Sequence, residues 1–182
     1  MTIAPVLRRL YFVRFAFALV WAVLLFATAS ELNPLSVSLL VLYPLFDAAA
    51  AVVDLRSSHT RGLYLNLAIS TLAAVGVAVA CSSGTPAVLR VWGAWAIVSG
   101  VIQLAVGVSR RRLGGQWPMI LSGGISVLAG TSFVVQAAGA GASLRSLAGY
   151  ALLGGIFFLV SALRLGGRAR RGGDLARAPE RV

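Results

Sequence analysis

The 182-residue chain is 59% apolar and only 12% charged, with a mean hydropathy of +0.90. A soluble domain is nearer half apolar and about a quarter charged, so this chain reads as an integral membrane protein with too little polar length for a separate soluble domain. Its formal charge of +11 comes from sixteen arginines, with no lysine, against five acidic residues. Most of the arginines flank apolar runs, so membrane orientation explains the excess better than nucleic acid does.

After a short basic head at 1–9, the first apolar helix is predicted over residues 10–29. Its opening looks like a secretory signal, with Ala27-Thr28-Ala29 as a cleavage-like site. Membership of the repeat described below argues that it is retained. A turn at 30–33 leads to a second helix over 34–53, which carries Pro44 and Asp47 inside it. The polar loop 54–62 contains the single histidine, His59. A third helix covers 63–81 and ends near the lone Cys81, so no intramolecular disulfide or cysteine-based metal site is possible.

The fourth helix lies within 89–112, the most regular stretch of the chain. From Val91 to Val108 no residue is charged, and about 18 such residues cross the hydrocarbon layer as a helix. It is preceded by Pro86 and closed by Arg110, Arg111 and Arg112. A fifth helix is predicted over 117–138, with Pro118 in its first turn, and a sixth over 145–165. Residues 166–182 are rich in Gly and Arg without apolar periodicity, and they are expected to form a disordered cytoplasmic tail.

These helices repeat. Tyr11, Tyr64 and Trp117 open the odd-numbered helices at a constant step of 53 residues, and Pro34 and Pro86 open two even-numbered ones at a step of 52. The segments starting at Tyr43, Trp95 and Tyr150 share one pattern: an aromatic residue, three intervening residues, then Asp47, Ser99 or Gly154 followed by Ala or Gly. The expected fold is therefore all-α: an integral membrane bundle of six transmembrane helices, built as three tandem hairpins at about 10–53, 63–108 and 117–165. Small residues recur four apart, as at Ala96 and Gly100, Ala151 and Gly155, and Ser122, Ser126 and Gly130. Such spacing lets helices approach closely, and packing is preferred here over a ligand groove.

With both termini on one side, fourteen arginines fall on that face and only Arg90 and Arg145 on the other. The positive-inside rule makes the first face cytoplasmic, and the expected location is a bacterial inner membrane.

The repeated aromatic motif, the WAIVSGVIQL…RRR stretch and the LSGGISVLAG run at 121–130 resemble the HdeD-like acid-resistance membrane proteins. The resemblance covers about residues 8–166. It implies a six-helix protein of repeated hairpins, with acid tolerance in some members and no catalytic residues to carry over. Glu31 is the only acid-range group expected on the outer face, which argues against a direct external pH sensor.

Asp47 is the only acid well inside a helix. A central Asp costs roughly 2.5–3.5 kcal/mol on insertion scales, so it should face the bundle and have a partner. Arg14 sits at similar depth in the first helix and is the expected partner. An ion pair that pins the first hairpin is the preferred reading, and a protonatable site on an ion route is the alternative. Pro44 removes one backbone donor and predicts a kink just before Asp47. Asn66, Ser99, Gln103 and Ser122 fall at comparable depth and form either one polar cluster in a cytoplasm-facing pocket or a set of separate interhelical bonds. A water-accessible cavity reaching Asp47 would favour transport, and a dry core would favour structure.

Arg110, Arg111, Arg112, Arg168, Arg170 and Arg171 are candidate contacts for anionic lipid headgroups. No catalytic set, metal cluster or cofactor motif is recognisable. The lead functional expectation is a non-catalytic, stress-associated membrane component acting through lipids, a protein partner or a second copy of itself. The alternatives are a small transporter or proton-linked permease using Asp47, and an accessory subunit of a larger membrane complex.

Overall fold

The computed structural model describes residues 3–58, 61–109, 111–113 and 116–177. Among these it holds six long helices: α1 (Ile3–Thr28), α2 (Pro34–Ser58), α3 (Arg61–Ala80), α4 (Thr85–Ser109), α5 (Trp117–Gln136) and α6 (Arg145–Arg177). Each contains a span long and apolar enough to cross a membrane. The chain is thus an all-α bundle with the build of a multi-pass membrane protein.

Local chemistry explains the helix ends. Asn33 caps α2: its Oδ1 accepts from the Ser36 N–H at 2.9 Å, and Ser36 Oγ accepts from the Asn33 N–H at 2.9 Å. This is a reciprocal capping box, with Pro34 at the first helical position where no N–H is needed. Between α3 and α4 a single 3-10 turn, Cys81–Ser83, leads into Gly84, whose φ of 91° suits only glycine. Pro118 occupies the first turn of α5.

The helices form a closed ring in chain order, with α6 packed against α1. The closest pairs are α2–α3, α4–α5 and α6–α1, whereas α1–α2, α3–α4 and α5–α6 meet less extensively. The tightest seams therefore run between the hairpins expected from the sequence and not within them. The reason lies in the small residues. A Cβ added at Gly100 would lie 2.7 Å from the Gly123 carbonyl oxygen, and one added at Gly93 would lie 2.7 Å from that of Gly130. The α4–α5 backbones thus touch at two levels seven residues apart. In α6, a Cβ at Gly155 would sit 3.1 Å from the Ala18 Cβ of α1.

The half of the bundle away from the termini is filled by aromatic rings reaching across the ring of helices. Trp21 of α1 stacks on Trp92 of α4 with centroids 5.6 Å apart, and Tyr43 of α2 lies against both. The Trp21 indole N–H donates to the Leu39 carbonyl at 2.6 Å. That bond lies one turn before Pro44, which is itself fully buried within an unbroken α2. Trp21→Phe keeps most of the apolar volume and loses this bond. It is expected to lower stability by about 1 kcal/mol, measured as the thermal midpoint in detergent.

The C-terminal segment differs from expectation. The helix α6 continues through most of the basic tail to Arg177 instead of ending at 165. Arginine and alanine in this stretch favour helix although its glycines do not, and it extends a helix already nucleated by packing. His59, Arg110 and Arg181 lie outside the described residues, as do the side chains of Arg168, Arg170 and Arg171. Arg111 and Arg112 form an exposed 3-10 turn after α4.

Candidate functional site

The start of α1, the ends of α2, α4 and α6 and the starts of α3 and α5 share one end of the bundle, and from that end a cavity of about 580 Å³ runs inward. All six helices line it. Each expected polar residue borders it: Arg14, Asp47, Asn66, Ser99, Gln103 and Ser122. The four-residue repeat step explains part of this convergence. Tyr43, Trp95 and Tyr150 all line the cavity, and so do Asp47, Ser99 and Gly154, each one turn further toward the open end. The small-residue motif thus does more than pack helices: Ser122 and Ser126 border the cavity, while Gly123 and Gly130 form the seam.

Asp47 is the anchor of the charged wall. Its Oδ1 accepts from the Arg14 guanidinium, as the shared depth predicted. Its Oδ2 accepts from Asn66 Nδ2 at 3.2 Å and from Ser70 Oγ at 2.7 Å. A carboxylate inside an apolar bundle is thereby met by one cation and two neutral donors, which offsets its desolvation. Ser70 was not anticipated. Its signal was the spacing from Asn66, since four residues along α3 return to the same face.

Arg14 is held on a second side. Its guanidinium carbon lies 4.1 Å from the centroid of the Phe158 ring of α6, a cation–π distance. The Arg14 and Asp47 side chains retain 15% and 14% exposure, so the pair is mostly buried but borders open space.

The remaining polar residues do not join this network directly. Ser99, Gln103 and Ser122 belong to α4 and α5, on a wall separate from Asp47, and only Asn66 of the expected cluster bonds to it. On that neutral wall Tyr150 donates its hydroxyl to Ser126 Oγ at 2.9 Å. The aromatic layer closes the inner end: Trp92 and Trp95 meet edge-on at 5.1 Å, and Tyr43 packs on both. The indole N–H groups of Trp92 and Trp95 are buried there without a hydrogen-bond partner.

The lining charges balance at the mouth as well as within. Arg14 and Asp47 lie deep, and Arg164 and Asp54 near the open end. Compared with known proteins, the chain matches no family model, no curated protein and no solved structure. The HdeD-like resemblance therefore stands only on the residues that suggested it.

Proposed function

We propose that the protein is a small, non-enzymatic membrane carrier that takes a solute into its axial cavity from the arginine-rich side. The observation that carries this reading is the cavity reaching Asp47. A volume of about 580 Å³ falls within the usual range for sites that enclose small organic molecules. Its mixture of aromatic rings with a few converging polar groups has the same character. The opposite half, filled by Trp21, Tyr43 and Trp92, supports a one-sided vestibule closed toward the other face.

The arginine distribution supports a cytoplasmic mouth in a bacterial inner membrane. Exposed Arg111 and Arg112 suit contact with anionic headgroups there. A second reading draws on the saturated Asp47: the ion pair as a structural pin, with the protein acting through lipid or protein contacts during stress.

Cysteine accessibility separates the two. In a Cys81→Ala background, Gln103→Cys and Ser122→Cys are expected to react with a membrane-impermeant maleimide in inverted vesicles and not in right-side-out ones. Val98→Cys, on the exposed apolar surface of α4, is expected to stay unlabelled in both. Unreactive cysteines at 103 and 122 in inverted vesicles would leave the pin as the better account.

A further inference from the structure

Resting on the reading that the cavity takes a solute, we propose that this solute is a small amphipathic monoanion, its acidic group held by Arg14 and its apolar body laid along α6.

Four observations converge on that class. First, the Asp47 carboxylate is already engaged: both oxygens accept, one from Arg14 and the other from Asn66 and Ser70. A cationic ligand would have to displace these donors to use it. Second, a guanidinium offers five N–H donors in a planar fork and matches carboxylate geometry. Asp47 engages one terminal nitrogen of Arg14, and the side chain still borders the cavity. Asp47 and Phe158 then act as positioning residues, one gripping an edge of the guanidinium and the other its face.

Third, the lining offers donors and hydrocarbon side by side, with Ser161 and Arg164 of α6 among the donors. Ser99, Gln103 and Ser122 on α4 and α5 can donate to an acidic group, while Leu153 and Phe157 on α6 present hydrocarbon. Because α6 is the close neighbour of α1, an acidic head at Arg14 brings the rest of a small molecule against Phe157 and Leu153. Fourth, the wider field favours anions. At the opening Arg164 is matched by Asp54, but the chain carries a formal charge of +11, with most arginines at that end. Such a field raises the local concentration of anions and lowers that of cations.

The repeat explains why one site suffices. The position of Asp47 in the first repeat is occupied by Ser99 in the second and Gly154 in the third. Charge sits on one wall, neutral polarity on the next, and open space on the last. A Cβ at Gly154 would meet nothing closer than the Tyr43 hydroxyl at 3.9 Å, so this position leaves room within the cavity.

The test is calorimetric titration of the full chain in a non-ionic maltoside with three probes of one shape: 1-naphthoate, 1-naphthamide and 1-naphthylmethylammonium. The naphthoate is expected to bind roughly tenfold or more tightly than the amide, as hydrogen bonds to a charged group imply. The double variant Arg14→Gln, Asp47→Asn removes one charge of each sign, so the net charge and its general attraction for anions are unchanged. It is expected to lose most of the preference for naphthoate over the amide and to keep only what the unchanged field contributes, and its folding is checked by its unfolding transition. Gly154→Leu, which puts a bulky apolar side chain into the cavity from α6, is expected to weaken binding of all three probes. Stronger binding of the ammonium or the amide would overturn the anion class and leave the solute cavity standing. Failure of every probe to bind the wild type would sink the cavity reading itself. A naphthoate preference undiminished in the double variant would remove Arg14 from the site.

Discussion

Arg14→Ala is expected to destabilise the bundle by about 3–5 kcal/mol, because removing one member of a buried pair strands the other charge. Asp47 would keep Asn66 and Ser70, at 3.2 and 2.7 Å, but two neutral donors do not balance a full charge in an apolar bundle. The Phe158 ring, now 4.1 Å from the guanidinium carbon, would also lose its partner. Removing both charges at once is a milder change. The Arg14→Gln, Asp47→Asn variant leaves amide groups that can still bond to each other and to Ser70, and no unpaired ion remains. Its stability is expected to lie close to wild type, within the scatter reported when buried ion pairs are replaced as a unit. Thermal unfolding in detergent measures both variants. An Arg14→Ala protein as stable as the double variant would mean that the pair exerts no hold on the first two helices.

The second large effect concerns two adjacent glycines. Gly123→Ala is expected to cost about 1–3 kcal/mol, the range for overpacking a well-fitted contact. Its new Cβ would lie 2.8 Å from the Gly100 carbonyl oxygen and 3.0 Å from the Leu104 amide nitrogen. Both are backbone atoms of α4, so relief requires the α4–α5 seam to open. Gly124→Ala meets nothing within 4 Å. There the gain in helical preference dominates, and the variant is expected to be more stable by about 0.4–1 kcal/mol. Paired unfolding curves decide the matter: a shift of the same sign at both positions would contradict the described packing of α4 on α5.

Those two glycines mark the boundary between what is legible in a sequence and what is not. Side by side in the same motif, they are indistinguishable by composition or periodicity. A rotation of about 100° around the helix separates them, and only the position of α4 says which one is crowded. Ser70 is a similar case. Its spacing from Asn66 was readable, but a serine in an apolar helix has many possible partners, and the identity of its acceptor depends on how α2 lies against α3.

Helix number, the apolar spans and the three-fold sequence repeat were determined by the chain alone, since each follows from local periodicity and from the length needed to cross a membrane, whereas α1 and α6 run further into the basic ends than that periodicity implied. The chain alone also determined the meeting of Arg14 with Asp47, because two charges at equal depth in neighbouring apolar helices have few alternatives to each other. The tertiary structure decided which helices pair most closely, because glycines let the backbones of α4 and α5 touch and α6 approach α1, irrespective of chain order. It alone produced the cavity, which arises from side chains of six helices converging on one axis, a sum over the whole ring that no single segment encodes.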